Sequence, residues 1–174
     1  MSIPYGGGWA IMKDVPTWRV RKAGLSDRDR LAKLRTLLWP DSSCEEHARE
    51  LDGILVQGTN GTLPMAILVS EDEHDNLIGL LEVGIRSHAD GCDTARPVGF
   101  VEGWFVQDAF RNRGVGRELM RSAEDWVRAQ GCSEIASDAL IDNEGSQHAH
   151  QAMGFEVVDR CVHFRKSLSP REKK

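Results

Sequence analysis

At 174 residues, with 40% apolar and 28% charged side chains, the chain has enough material for one packed core and too little for two robust ones. Its formal net charge of −5 argues against a general nucleic-acid surface and suits cationic partners. No apolar run approaches the roughly 20 residues that cross a bilayer, and residues 1–12 lack a basic-then-apolar signal pattern, so the expectation is a globular domain in the cytoplasm.

Residues 1–16 read as a flexible extension, and Trp18–Lys22, which alternates apolar with basic side chains, as an edge strand opening the ordered domain. Ser26 to Asp29 has the hydroxyl and acid of a helix start, and Leu31, Leu34 and Leu38 continue one helical face until Trp39-Pro40 ends it. A second helix is expected from about Cys44 to Gln57, then a turn through Gly58–Thr62, then a strand at Met65–Val69. Glu73–Asn76 separates that strand from Leu77–Ile85, which predicts a hairpin. A polar loop, Arg86 to Arg96, leads to an apolar strand at Phe100–Val106. The next helix carries Val115, Leu119, Ala123, Trp126 and Val127 on one stripe, turns Arg117, Arg121, Glu124 and Arg128 to solvent, and stops at Gly131. Glu134–Ser137 predicts a short strand, Ser146–Met153 a short helix, Glu156–Phe164 a last strand, and 167–174 a frayed tail. With no repeat or internal linker, 17–166 is read as a single domain.

Between the Phe100–Val106 strand and the next helix, Arg111-Asn112-Arg113-Gly114-Val115-Gly116 suits a diphosphate. Gly114 and Gly116 lack a Cβ, so the backbone can turn tightly and offer N–H groups to phosphate oxygens, while the first helical turn adds partial positive charge. Arg111 and Arg113 add full charges, or else are solvated surface residues. The terminal Lys-Ser/Thr of a P-loop and the third glycine of the dinucleotide fingerprint are missing, which favours the pyrophosphate of coenzyme A. Cys44, Cys92, Cys132 and Cys161 are widely spaced, form no Cys-x-x-Cys pair and are read as reduced packing residues. His148 and His150, two apart on a helix, diverge, and no metal is expected.

Strand, Arg111–Gly116 motif, amphipathic helix, strand, Asn143, short helix and Gly154-Phe155, in that order, resemble the GCN5-related N-acetyltransferase (GNAT) superfamily over residues 17–166. The resemblance implies a single-domain α/β fold: a mixed, mostly antiparallel sheet flanked by helices, with a splayed central strand pair that takes acetyl-CoA. Leu38-Trp39-Pro40, Gly91-Cys92-Asp93, Phe100-Val101-Glu102-Gly103, Ala136-Ser137-Asp138 and His150-Gln151-Ala152 ahead of Gly154-Phe155-Glu156 resemble bacterial aminoglycoside 6′-N-acetyltransferases. This implies acetyl transfer to a drug amine by a homodimer. By the same resemblance, the backbone at Phe105 and Val106 pairs with pantetheine and polarises the thioester carbonyl, and Asn143 bonds the pantetheine arm; on local sequence alone Asn143 is a helix cap. Where the superfamily often has a tyrosine acid four residues before Gly-Phe, this chain has His150, available to protonate the leaving thiolate or to contact the pantetheine thiol. Its one tyrosine is Tyr5, and His88-Ala89 stands where some aminoglycoside enzymes carry an aromatic residue.

An amine attacks a thioester only when neutral, so the site has to draw in a cation and take its proton, work suited to carboxylates. Glu102 is the first candidate, since a charge inside an apolar strand is costly to bury unpaired; a structural salt bridge or an outward-facing position is the alternative. Asp138, just past Ile135–Ser137, is the second because strand ends gather ligands, a cap or turn being its alternative role. Glu82 interrupts Leu77–Ile85 and is placed either on substrate or in a pair with Arg86. Trp39 and Trp104 are cleft walls or packing residues, the resemblance favouring Trp39 for the cleft. Asp159 is an outer acidic contact or a solvated residue. No cysteine sits in a nucleophile motif, so direct attack is expected. The competing functions are a GNAT enzyme acting on another small-molecule or protein amine, and a noncatalytic CoA-binding module.

Overall fold

The computed structural model describes residues 17–167; the extension expected over 1–16, with Tyr5, and residues 168–174 lie outside that range. A six-stranded sheet has the order β1 (Trp18–Lys22), β3 (Leu63–Asp72), β4 (Leu77–Arg86), β5 (Val98–Val106), β6 (Ile135–Ser137), with β2 (Thr59–Asn60) paired to β3. All pairings are antiparallel except β5 with β6. Helices α1 (Arg28–Leu38) and α2 (Cys44–Gln57) cover one face and α3 (Val115–Ala129) the other, while α4 (Glu144–Ala152) follows β6.

Strand alternation splits the core in two. Met65, Ile67 and Val69 of β3 pack under Leu31, Leu34, Leu51 and Ile54 of α1 and α2. Ala66 and Leu68 turn the other way, with Val83 and Ile85 of β4, onto Leu119, Ala123 and Val127 of α3. Both faces being covered, β3 and β4 are nearly continuous apolar runs. Helix α2 begins as a capping box: Ser43 Oγ accepts from the Glu46 N–H at 3.2 Å, and the Glu46 carboxylate accepts from the Ser43 N–H at 2.8 Å. It ends at Gly58 in the left-handed region, φ 69°.

Helix α1 departs from the expected start at Ser26. A 3-10 turn, Leu25–Asp27, precedes it, and Asp27 Oδ2 accepts from the Gly24 N–H at 2.9 Å. Asp27 is wholly buried, gripped by both Arg21 Nη atoms at 2.7 and 2.9 Å, with Arg30 adding a further bond. Arg21 also donates to Glu71 at 2.6 Å, so one arginine ties β1 to β3 and to the start of α1. The Arg21 bonds hold the Asp27 carboxyl down at about 2 against an ordinary 3.8. Its stabilisation is therefore whole above pH 3.8 and lost as pH falls through about 2. Asp27→Ala is expected to cost about 3 kcal/mol in urea unfolding at neutral pH, because two arginines lose a buried partner. The deficit should shrink toward pH 2; a deficit constant across that range contradicts the ion-pair account.

Two expectations fail. Residues 156–167 form no strand, and beyond the Phe155 N–H no backbone hydrogen bond ties them to the other described residues. Val157, Val158, Val162 and Phe164 stand 57–93% exposed: the segment has a strand's composition, but no described edge pairs with it. The four cysteines are free, yet only Cys132 is buried; Cys44 and Cys92 are half-buried and Cys161 is exposed, so a packing role holds for one of them in full.

Candidate active site

Strands β5 and β6 pair from Gly99–Val101 to Ile135–Ser137, where β6 ends while β5 runs on to Val106, so the pairing opens as a fork. Glu102 and Asp138 are the first residues past the last matched pair, Val101 with Ser137, so the two acids flank the opening of a fork. On the other side of β5 the register with β4 slips: Glu82 faces Gly103 and Val83 faces Val101, which leaves Glu102 as the extra residue of a bulge. Past the fork, Phe105 packs toward α1 and α2 and Val106 toward α3, as expected for core side chains. Their main chain keeps an edge toward the fork that no described strand covers, where an extended ligand arm can pair as an added strand would.

At the far end of β5 a 3-10 turn, Asp108–Phe110, leads into Arg111–Gly114 and then α3. Asn112 at φ 60° and Gly114 at φ 86° wind the chain so that the amides of Asn112, Arg113, Gly114, Val115 and Gly116 find no backbone acceptor among the described residues. With the helix start behind them, these donors fit a diphosphate. Both arginines are exposed. Arg111 is bound back to its own loop, its Nε donating to the Val106 carbonyl at 3.0 Å and a Nη meeting Asp108 at 3.0 Å, while Arg113 lies over the Phe110 ring at 5.8 Å. Gly116 has a packing duty as well: a Cβ there would sit 3.1 Å from the Trp104 ring.

On the α1 and α2 side, the Trp39 ring lies directly on Gly103, where a Cβ would fall 2.5 Å from Cη2. The Arg35 guanidinium stands 5.1 Å from the centre of that ring, and His47 Nε2 donates to the Trp39 carbonyl at 3.0 Å. Half-buried, Trp39 suits a wall between core and cleft. Glu82 lies beneath this layer, 1% exposed, and pairs with Arg35 rather than with Arg86. Arg35 Nη2 donates to Glu82 Oε2 at 3.3 Å, while Arg35 Nε stands 2.8 Å from Oε1 without being in line for a second hydrogen bond, so the charges attract through one bond and close approach. Burial pushes the Glu82 carboxyl up to about 7 despite the arginine. Arg86 instead takes Glu102 in a two-pronged bond, with Nε donating at 3.0 Å, which is the salt bridge held open as the alternative for Glu102. Glu102 nonetheless keeps 27% of its side chain exposed, and Asp138 and Asp159 are exposed.

On the β6 side, His150 of α4 is wedged edge-on between Trp104, 5.4 Å away, and Phe155, 5.2 Å away. Its Nδ1 is 2.8 Å from the Ser146 carbonyl and its Nε2 2.9 Å from Ser137 Oγ. Asn143 caps α4, its Oδ1 accepting from the Ser146 N–H at 3.0 Å, which leaves the NH₂ as the donor for a ligand. Trp104 is half-buried against Gly116 and His150, and belongs to the packing under the fork.

Sequence reasoning gave no role to Arg35, Gly103 or Ser137, the last two standing only within stretches quoted for the family resemblance. Arg35 follows Leu31 by four on the apolar stripe of α1, and a charge there calls for a buried partner. Gly103 interrupts an apolar strand, a mark of close approach by another group. For Ser137 the only signal is its place in the Ala136-Ser137-Asp138 stretch.

The sequence profile described as the Acetyltransferase (GNAT) family matches residues 29–155. The aminoglycoside N(6′)-acetyltransferase type 1 of Klebsiella aerogenes is 37% identical over 149 residues, 86% of this chain and 96% of that one. Its counterpart from Stenotrophomonas maltophilia is 35% identical over 161 residues, covering 92% and 99%. Among solved structures, AAC(6′)-Iy in complex with the bisubstrate analog CoA-S-monomethyl-acetylneamine superposes with a TM-score of 0.78 at 32% identity, covering 87% of this chain and 99% of that one. A fork with main-chain donors for a diphosphate, on a sheet of this topology and with relatives this similar over nearly their whole length, places the chain in the GNAT acetyltransferase family, among the aminoglycoside 6′-N-acetyltransferases.

Proposed function

We propose that the protein transfers the acetyl group of acetyl-CoA to the 6′-amine of aminoglycoside antibiotics, by direct attack through a tetrahedral intermediate, and so confers resistance. The fork carries this reading: diphosphate donors lie at one end of β5, and two acids stand immediately beyond the β5–β6 pairing. Residues 112–116 and Arg113 hold the pyrophosphate, Arg111 braces their loop, the Phe105–Val106 main chain aligns pantetheine, and Asn143 steadies it. Glu102 and Asp138 draw the polycationic drug against Trp39. The same two acids take the ammonium proton, directly or through one water. The same Phe105–Val106 main chain polarises the thioester carbonyl and stabilises the oxyanion, a contribution of about 3 kcal/mol per donor in comparable sites. The exposed apolar segment around Val157–Phe164 supports a homodimer in which a second copy covers it, and the enzyme works in the cytoplasm.

Glu102→Gln and Asp138→Asn are expected to bind acetyl-CoA normally in calorimetry while acetylating kanamycin or tobramycin at least about tenfold more slowly. Wild-type turnover in both would remove their roles. Mass spectrometry with NMR of the product identifies the acetylated nitrogen, and modification elsewhere than 6′ would overturn the regiochemistry.

A further inference from the structure

We propose that Ser137 is the residue that hands a proton to the departing coenzyme A sulfur, with His150 acting through it. The proposal rests on the acetyl-transfer reading above and concerns a residue outside that scheme. Ser137 is the last residue of β6, matched to Val101 in the last β5–β6 pair, and its Oγ stands 3.3 Å from the Val101 carbonyl, at the base of the fork. His150 cannot offer both nitrogens to a ligand. A carbonyl oxygen only accepts, so the 2.8 Å contact with the Ser146 carbonyl fixes the hydrogen on Nδ1 and makes Nε2 the nitrogen that gains and loses a proton. Ser146 Oγ, at 3.3 Å, lies on the same nitrogen. Nε2 faces Ser137 Oγ at 2.9 Å, and the ring cannot turn away because Trp104 and Phe155 hold it edge-on from two sides.

The pair therefore has two states. With a neutral imidazole, the Ser137 hydroxyl donates to Nε2 and shows only lone pairs to the fork. With an imidazolium, Nε2–H donates to Ser137 Oγ, and the hydroxyl hydrogen is released; at rest it can turn to the Val101 carbonyl at 3.3 Å or the Asp138 carbonyl at 3.5 Å. When the tetrahedral intermediate collapses, the C–S bond breaks and its electron pair goes to sulfur. Sulfur takes the hydroxyl hydrogen as Ser137 Oγ takes the hydrogen of Nε2, leaving a thiol, an intact serine and a neutral imidazole. A proton from solvent recharges the ring for the next turnover.

Ser137→Ala is expected to lower the single-turnover rate with an aminoglycoside about 10- to 100-fold, within the usual range for a positioned acid, at unchanged acetyl-CoA affinity. Ser137→Thr, which keeps a hydroxyl on a strand residue, should recover most of the rate. If the two residues form one relay, adding His150→Gln to Ser137→Ala should slow the enzyme no further. In the free protein, ¹⁵N NMR of the ring should show the Nδ1–H tautomer, with the Nε2 resonance moving in Ser137→Ala. An Nε2–H tautomer, wild-type rates in Ser137→Ala, failed recovery by threonine or additive losses in the double variant would each overturn the relay. A wild-type protein that acetylates no aminoglycoside would instead remove the reading beneath it.

Discussion

Arg35→Met is expected to lower stability by about 3 kcal/mol at pH 8, since Glu82 then lies 1% exposed without its counter-charge. The size of the loss should depend on pH in a definite sense. The Glu82 carboxyl already titrates at about 7 rather than 4.5, because burial outweighs the arginine. Such a raised group adds stability that is whole below pH 4.5 and disappears as pH climbs through the folded value. Without Arg35 that value rises further, so at pH 5 wild type and variant both hold a neutral Glu82, and the gap narrows to lost packing over Trp39 and the bonds to Glu50 and the His47 carbonyl. Urea unfolding at pH 5 and pH 8 measures the difference. Arg35→Met combined with Glu82→Leu should regain most of the stability, because an apolar pair replaces a desolvated charge pair. A pH-independent loss, or no recovery in the double variant, would mean that the pair is not what holds α1 to β4.

Gly114→Val should weaken acetyl-CoA binding by about 10- to 100-fold, roughly 1.5–3 kcal/mol, measured by calorimetry. Space is not the obstacle, since the nearest atom to an added Cβ is Trp18 Cζ2 at 3.7 Å. The obstacle is conformation: Gly114 sits at φ 86°, which a β-branched residue adopts only under strain, and relaxing it re-aims the amides from Asn112 to Gly116. Gly131→Val makes the control, at φ 84° but at the opposite end of α3. It should lower the melting temperature while leaving acetyl-CoA affinity unchanged. Equal affinity losses in both variants would show that general destabilisation, not the cradle, is being measured.

Much of this architecture was visible in the residue pattern. Helix α2 runs over the expected Cys44–Gln57 because its start and stop are written in local chemistry, Ser43 with Glu46 at one end and Gly58 at the other. The amphipathic stripe of α3 and the glycine turn ahead of it stand where the pattern put them for the same reason. What local pattern does not carry is partnership across distant strands. Asp27 rather than Ser26 organises the start of α1 because Arg21 and Glu71 arrive from β1 and β3. Glu82 pairs with Arg35 and Glu102 with Arg86 because the bulge at Glu102 decides which acid reaches which arginine. The strand expected at Glu156–Phe164 fails on similar grounds: alternating composition records a preference for pairing, and a preference alone supplies no neighbour.

The two ends of the fork are made of different material, and this divides how the enzyme can change. The donor end is built from main-chain amides whose position depends on backbone shape, so most side-chain replacements pass it by and a few glycine changes ruin it. The acceptor end, as proposed, is built from side chains, Trp39, Glu102 and Asp138, each removable by one substitution. On the proposed scheme, drift in antibiotic range is therefore cheap for this scaffold and drift in acyl donor is not, so a blocking compound anchored at the amide cradle should meet fewer escape routes than one shaped to the acceptor side chains.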